Sequence, residues 1–166
     1  MGNSSYRSDD VMTNALSNHG NMVKRICFVY LRNQSDADDA FQDVFVKLLE
    51  ADLIFTDEEH MKAWLARVAI NKCKDMFKSY WRRNVGPIDN IEETFEDKEE
   101  SEVMQAVLDL PAKYKEVVYL FYYEQYTVVE MAKLLGQKEN TIYSNLHRAR
   151  QILKKKLGGA EHEYTF

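Results

Sequence analysis

The chain has 166 residues, of which 45% are apolar and 30% charged, and its formal net charge is −5. This composition excludes a disordered chain, and the low content of six glycines and two prolines favours helices over a strand-rich fold. No apolar run is long enough to span a bilayer, and the first ten residues lack the apolar core of a signal peptide. We therefore expect a cytoplasmic protein.

The cysteines and histidines give no sign of a metal or redox site. Cys27 and Cys73 are far apart and form no CxxC motif, so we expect free, buried thiols in a reducing cytosol. The four histidines are scattered and lack the spacing of metal ligands. We expect no metal, no cofactor and no small-molecule substrate.

The acidity of the chain is concentrated in one short segment. Residues 84–102 carry eight acids against one lysine, and this segment also contains a Gly-Pro pair that suits a break between domains. We predict an all-α protein of two small helical domains, residues 1–83 and 101–166, joined by an acidic flexible linker at 84–100. The last residues of the second domain form a short tail.

The first domain begins with a helix that ends near Arg32 and Asn33. Ser35 and Asp38 then resemble a capping box for a second helix. Its apolar side chains recur every three or four residues and predict an amphipathic helix with a buried stripe of Ala40, Phe41, Val44, Phe45, Leu48 and Leu49. Its polar face includes Asp39, Gln42 and Asp43.

A third helix is predicted after a second capping box, Thr56 and Glu59. Between residues 62 and 83 it carries one acid, Asp75, and seven basic residues: Lys62, Arg67, Lys72, Lys74, Lys78, Arg82 and Arg83. Such a face can be an ordinary solvated surface, but solvated faces usually mix both signs. Aromatic planes at Tyr80 and Trp81 suit stacking on unpaired bases, although Tyr80 can equally pack in the core.

The second domain ends in a predicted helix-turn-helix. A helix stops before Pro111, and five tyrosines between positions 114 and 126 are interpreted as core or half-buried residues. Thr127 and Glu130 form a third capping box, and Gly136 occupies a turn that needs a positive φ angle. The longer helix that follows has residue types that contact base edges and phosphates in a major groove, namely Thr141, Tyr143, Ser144, Asn145, His147, Arg148 and Arg150.

Three stretches, in this order and at this spacing, resemble the bacterial sigma-70 family: DADDAFQDVFVKLLE, MKAWLARVAINKCKDMFKSYWRRN and LPAKYKEVVYLFYYEQYTVVEMAKLLGQKENTIYSNLHRAR. The short two-domain layout is similar to its extracytoplasmic-function group, and the resemblance covers roughly residues 10 to 157. It implies an alternative sigma factor that binds RNA polymerase core, recognises and melts promoters, and directs transcription initiation.

The resemblance also implies roles for particular residues. Asp39, Gln42 and Asp43 match the face that docks on the clamp helices of the largest polymerase subunit. The basic helix binds and helps to open the minus-ten element, and the residues on it are Asn71, Lys74, Lys78, Trp81, Arg82 and Arg83. The helix-turn-helix reads the minus-thirty-five element and rests on the polymerase flap. The acidic linker threads toward the polymerase active site in the family, whereas the sequence alone equally permits a solvated tether.

The recognition helix departs from the family pattern. Lys138 stands where relatives often have a capping serine, and two positions that are often basic are Tyr143 and Asn145. Fewer phosphate contacts would weaken non-specific binding and flatten its salt dependence. Asn145 could instead read an adenine.

Two other functions remain open from the sequence. One is a sigma mimic that binds an anti-sigma protein and never touches promoters, although such mimics usually carry a fused receiver domain. The other is a helix-turn-helix repressor, which leaves the first domain unexplained. An enzyme is not expected, because no phosphate loop, metal cluster or nucleophile beside a histidine is present. The family resemblance implies an anti-sigma partner, which can hold the protein at the membrane.

Overall fold

The computed structural model describes the backbone of residues 3–83 and 98–158, and the side chains of residues 9–79 and 102–158. Every regular element in these ranges is helical, which confirms the predicted all-α fold: α1 (Asn3–Leu31), α2 (Gln34–Glu50), α3 (Glu58–Arg83), α4 (Lys98–Leu108), α5 (Ala112–Val118), a π-helical turn (Tyr119–Tyr123), α6 (Val128–Leu135) and α7 (Glu139–Lys156). None of the helices in this part of the chain is long and apolar enough to cross a membrane.

The chain divides into two compact units, Met1–Ile91 and Glu92–Phe166. Most of the predicted linker, residues 84–97, lies outside the described residues, and so does the tail at 159–166. Residues 98–100 are helical and begin α4, so regular structure in the second unit starts three residues before the predicted boundary at 101.

The first unit packs α1, α2 and α3 against one another. Each helix contributes a stripe of fully buried side chains at helical spacing, which removes apolar surface from water. The residues with almost no exposure are Ala15, Val23, Ile26, Cys27, Ala40, Val44, Leu65, Ala66, Ala69, Ile70 and Cys73. Both cysteines are buried and neither forms a disulfide, as predicted.

The junction between α1 and α2 differs from the predicted capping box. Arg32 adopts a left-handed conformation with φ 54°, and its N–H donates to the Phe28 carbonyl over 2.8 Å. Asn33 is the N-cap, and its side-chain oxygen accepts from the backbone N–H of Asp36 at 3.0 Å. Ser35 therefore lies inside α2, because the left-handed turn at Arg32 fixes the start of the helix two residues earlier.

The start of α3 is also capped by a different residue from the predicted Thr56. Asp57 accepts a hydrogen bond from the backbone N–H of His60 at 2.7 Å, and α3 begins at the next residue, Glu58. The carboxylate of Glu58 then reaches across to α1. One oxygen accepts from Asn14 Nδ2 at 2.7 Å, and the other lies 2.8 Å from His19 Nε2.

This contact between α1 and α3 changes the chemistry of Glu58. The hydrogen bond from Asn14, followed by that from His19, lowers the pKa of the Glu58 carboxyl, because both stabilise its ionised form. The ring of His19 is buried, so the histidine is anchored in the unit rather than offered to a metal or substrate.

The second unit is built around α7. Its buried residues are Ile142, Leu146, Ala149 and Leu153, which recur at helical spacing and pack against α5 and α6. Leu157, one turn after Leu153, lies just beyond the helix as its C-cap and is only half-buried. Three of the five tyrosines, Tyr114, Tyr119 and Tyr126, are buried, which agrees with their interpretation as core residues.

A π-helical turn follows α5 and was not predicted from the sequence. The N–H of Glu124 donates to the Tyr119 carbonyl at 3.2 Å, a spacing of five residues that widens the helix by one residue. Gln125 then adopts φ 58° and reverses the chain toward α6. The extra residue changes the directions of the aromatic side chains in this turn.

The helix-turn-helix forms as predicted. Thr127 caps α6: its hydroxyl oxygen accepts from the N–H of Glu130 at 3.2 Å and its hydroxyl donates to the Glu130 carboxylate at 2.9 Å. Gly136 ends α6 with φ 63° and ψ 37°, the left-handed conformation that glycine adopts without steric cost. Lys138 is the N-cap of α7 and makes no side-chain capping bond, as its residue type predicts.

Candidate polymerase and promoter interfaces

Asp39, Gln42 and Asp43 lie together on the solvent-exposed side of α2, and we call them the acidic face of α2. Their spacing of three and four residues places them on one side of a helix. The opposite side is held in the core by Ala40, Val44, Phe45 and Leu48. The acidic face is therefore a fixed feature of a packed helix.

Asp43 has a partner on another helix. Its Oδ2 lies 2.9 Å from Nζ of Lys72 on α3, and the two side chains are 53% and 38% exposed. This ion pair joins α2 to the helix that carries the basic residues.

Apolar side chains continue the acidic face toward the end of α2. Val46 and Leu49 are 48% and 56% exposed, so the prediction that Leu49 belongs to the buried stripe is wrong. Val46 follows Asp43 by three residues, and Leu49 follows Val46 by three and Gln42 by seven, which places both on the adjoining surface. Val46 was not among the residues predicted from the sequence. Its position one turn after Gln42, on the polar side of the predicted helix, could have indicated that it is exposed.

Two basic residues of α3 share a face with Asn71. Asn71 and Lys78 are exposed and Lys74 is half-buried, and their spacing of three and four residues aligns them along the helix. We call these three residues the basic face of α3. Trp81, Arg82 and Arg83 belong to the last turn of α3, but their side chains lie outside the described residues, and so does that of Tyr80.

A short loop, residues 51–57, connects α2 to α3. The Phe55 ring packs edge-on against His60 at 5.2 Å and against Trp64 at 5.8 Å between ring centroids. The backbone N–H of Thr56 donates to His60 Nδ1 at 3.2 Å. These contacts hold one end of the loop against α3, while Ile54 is left 85% exposed.

In the second unit, α7 presents most of the predicted DNA-binding residues to solvent. Thr141, Ser144 and His147 are exposed, and Tyr143 is 59% exposed. Asn145 is half-buried. Asn145 follows Ile142 by three residues and precedes Ala149 by four, so it lies at the edge of the buried side of α7, whereas the exposed residues are available to a nucleic acid.

Arg148 and Arg150 are held by tyrosines of the same unit. A hydrogen bond from Arg148 to the Tyr114 hydroxyl lowers the pKa of that tyrosine, and Lys113 acts in the same direction. Nε of Arg150 donates to the Tyr122 hydroxyl oxygen at 2.8 Å. The Arg150 guanidinium also lies 5.9 Å and 5.8 Å from the ring centroids of Phe121 and Tyr122. Both arginines thus support the orientation of α7, which the sequence pattern did not indicate.

Within the described side chains, no group of three or more His, Cys, Asp and Glu residues is arranged to hold a metal ion. The chemistry of the exposed faces is that of carboxylates, ammonium and guanidinium groups, amides and aromatic rings. Such groups recognise protein surfaces and nucleic acid.

Comparison with protein families matches both units. The family model for Sigma-70 region 2 matches residues 16–83, and the model for Sigma-70, region 4 matches residues 100–153. The chain therefore belongs to the sigma-70 family of RNA polymerase sigma factors.

Individual relatives give the same result. The chain is 24% identical over 148 residues to RNA polymerase sigma factor SigV of Bacillus subtilis, covering 87% of this chain and 89% of SigV. It is 26% identical over 144 residues to the ECF RNA polymerase sigma factor SigM of Mycobacterium tuberculosis, covering 84% of this chain and 74% of SigM. Within its family, the chain is an alternative sigma factor of the extracytoplasmic-function type, and it directs transcription initiation by RNA polymerase at promoters.

The fold is also similar to a solved structure. The sigma factor RpoE, crystallised in complex with the anti-sigma factor NepR from Bartonella quintana, matches 87% of this chain and 95% of its own with a TM-score of 0.73 and 18% sequence identity. Sigma factors are regulatory initiation factors, so the family membership does not point to an enzyme.

Proposed function

We propose that the acidic face of α2 is the surface through which this sigma factor binds the clamp helices of RNA polymerase core. The observation that carries this proposal is the exposure of Asp39, Gln42 and Asp43 on one side of a helix whose other side is buried. Carboxylates in such a position attract a basic partner surface and speed its association. Val46 and Leu49 extend the surface with apolar area, which is typical of the centre of a protein interface.

The basic face of α3, together with Trp81, Arg82 and Arg83, is proposed to bind and help to open the minus-ten element. Asn71, Lys74 and Lys78 align along the helix and can follow a phosphate backbone. A surface of charge and aromatic planes favours unpaired bases over the duplex, which supports a role in melting.

The exposed face of α7 is proposed to read the minus-thirty-five element in the major groove, while the second unit rests on the polymerase flap. Thr141, Tyr143, Ser144 and His147 offer hydroxyl and imidazole groups to base edges and phosphates. Arg148 and Arg150 have hydrogen-bond donors in addition to those used by Tyr114 and Tyr122, because a guanidinium carries five N–H groups.

An anti-sigma factor is the proposed regulatory partner, and the similarity in fold to a sigma factor solved with one supports this. Such a partner would cover the polymerase-binding surfaces of both units and would keep the protein from competing for core. The proposed site of action is the bacterial cytoplasm, with retention at the membrane where the anti-sigma factor is itself anchored. The acidic segment at 84–100 is proposed to enter the path of nucleic acid in the polymerase.

Run-off transcription with purified bacterial core polymerase on a library of genomic promoters tests these proposals. We expect new start sites that depend on the protein and share two upstream elements. Binding to core without initiation would instead indicate a sigma mimic. Failure to bind core would rule out the acidic face of α2 as the polymerase-binding surface.

A further inference from the structure

The ion pair between Lys72 and Asp43 connects the acidic face of α2 to α3, the helix that carries the basic face. Asp43 belongs to the acidic face of α2, whereas Lys72 follows Asn71 directly on the helix that carries the basic face of α3. The two charged atoms are 2.9 Å apart, and both side chains keep part of their surface in solvent, 53% for Asp43 and 38% for Lys72. A ligand of the acidic face can therefore reach Asp43, and the exposed part of the Lys72 side chain is open to a ligand that contacts α3 beside its basic face.

We propose that Lys72 and Asp43 form a coupling pair, through which polymerase binding and promoter binding strengthen each other. This inference rests on the function proposed above. In the free chain, each charge neutralises the other. A cationic group of the polymerase that pairs with Asp43 displaces the Lys72 ammonium, which then becomes available to a phosphate of the promoter.

The physical properties of the pair suit such an exchange. Ion pairs exposed to water stabilise a protein only slightly, so an intermolecular pair can replace them at little cost. Lysine carries a compact charge on a flexible four-carbon stem, so the ammonium can turn away from α2 without movement of the backbone. Asp75 lies one turn further along α3 and is exposed, so a pair between it and a displaced Lys72 would again be an exposed ion pair of small stabilisation.

Thermodynamic linkage makes the effect reciprocal. If polymerase raises the affinity for DNA by releasing Lys72, DNA raises the affinity for polymerase by the same factor. For an exposed ion pair, we expect a factor of about two to five. The sigma factor would therefore hold promoter DNA more tightly in the holoenzyme than the same residues would in the free chain.

The Lys72→Gln variant of the full chain tests the coupling. Its affinity for core polymerase, measured by fluorescence titration, should rise about two- to fivefold, because the carboxylate of Asp43 is no longer shared. As holoenzyme, it should bind a single-stranded minus-ten oligonucleotide from an identified promoter more weakly by a similar factor, while binding by the free chain stays unchanged. Arg67→Gln removes another exposed charge from α3 and should leave the affinity for core at the wild-type value.

A second variant examines the pair from the other side. In the free chain, Asp43→Asn should bind the oligonucleotide more tightly than Asp39→Asn, which removes the same charge one turn earlier on α2. Equal affinities of these two variants, or an unchanged or lower affinity of Lys72→Gln for core, would overturn the coupling and leave the proposed function intact. A wild-type chain that fails to bind core would overturn the proposed function, and the coupling with it.

Discussion

Nε of Arg150 donates a 2.8 Å hydrogen bond to the hydroxyl oxygen of Tyr122, a residue 28 positions earlier in the chain. The bond ties the middle of α7 to the π-helical turn, and the guanidinium lies over the rings of Phe121 and Tyr122 as well. The orientation of the recognition helix in its unit is therefore set partly by a polar contact and not by the apolar core alone.

Replacement of Tyr122 by Phe keeps the ring beneath the guanidinium but removes the acceptor of the hydrogen bond. We expect the free energy of unfolding to fall by about 1 kcal/mol, since Arg150 is half-buried and loses a partner. Denaturant unfolding of the full chain measures this change. Tyr143→Phe, at an exposed position of α7, serves as the control, and equal stabilities of the two variants would contradict the prediction.

The contact of Glu58 with Asn14 and His19 predicts a dependence of stability on pH. Because the pKa of Glu58 is lowered in the folded protein, its contribution is fully present above the ordinary pKa of a glutamate and is lost as the pH falls through the lowered value. Glu58→Gln should therefore lower the melting temperature at about pH 7, and the difference from wild type should shrink toward about pH 3.

Glu59→Gln is the matched control for this experiment, because Glu59 is exposed in the same first turn of α3. Its melting temperature should follow that of the wild type over the whole range. A gap between wild type and Glu58→Gln that stays constant with pH would show that the carboxylate does not act through ionisation.

Reversal of charge on the acidic face of α2 should weaken binding to polymerase. We expect Asp39→Lys to lower the affinity for core at least about tenfold, since it places a like charge against a basic partner surface. Titration of labelled core measures this affinity. Asp9→Lys, at an exposed position on α1, makes the same change in net charge and should bind core as the wild type does. A comparable loss of affinity in both variants would show that the effect comes from net charge and not from the acidic face of α2.

Alanine substitutions at two glycines should change the stability of the protein in opposite directions. Gly136→Ala should destabilise the protein by about 1 kcal/mol, because φ of 63° is costly for a residue with a Cβ atom even though that atom would meet no neighbour. Gly20 lies inside α1, and a Cβ there also meets nothing within 4 Å. Gly20→Ala should therefore stabilise the protein by about 0.5–1 kcal/mol. Calorimetry that gives both substitutions the same sign would contradict this assignment.

The proposal that Asn145 reads an adenine makes a prediction about specificity. Asn145→Ala should remove about 1–3 kcal/mol of discrimination at one position of the minus-thirty-five element and leave other positions unchanged. Competition binding with promoter variants measures this profile. Lys154→Gln, on the last turn of α7, should weaken binding to all sequences alike, and an unaltered base preference in Asn145→Ala would exclude adenine recognition.

Helix boundaries could be predicted from the sequence where the local residues allow only one boundary. The helix-turn-helix was predicted correctly because the capping box at Thr127 and the glycine turn at Gly136 agree on its boundaries. Lys138 was also predicted correctly to be a poor cap, because its side chain has no acceptor for a helix N–H. In these places local chemistry decides the structure without help from distant residues.

Prediction failed where neighbouring residues compete or where a distant residue decides. Asn33 and Ser35 are both good N-caps, and the left-handed turn at Arg32 selects the first of them. Asp57 and Thr56 compete in the same way at the start of α3. The partner of Arg150 could not be foreseen, because the π-helical turn that aims Tyr122 has no sequence period of its own.

The seven-residue loop 51–57 is secured at both ends. The N–H of Ala51 donates to the Lys47 carbonyl at 2.9 Å, and Phe55 and Asp57 are fixed on α3 by ring contacts and by the cap. Glu58, the next residue, is held by its contacts with Asn14 and His19 on α1. A segment restrained in this way has already lost much of its conformational entropy before it meets a ligand. The exposed side chain of Ile54 can therefore engage a partner with little further ordering of the backbone that carries it.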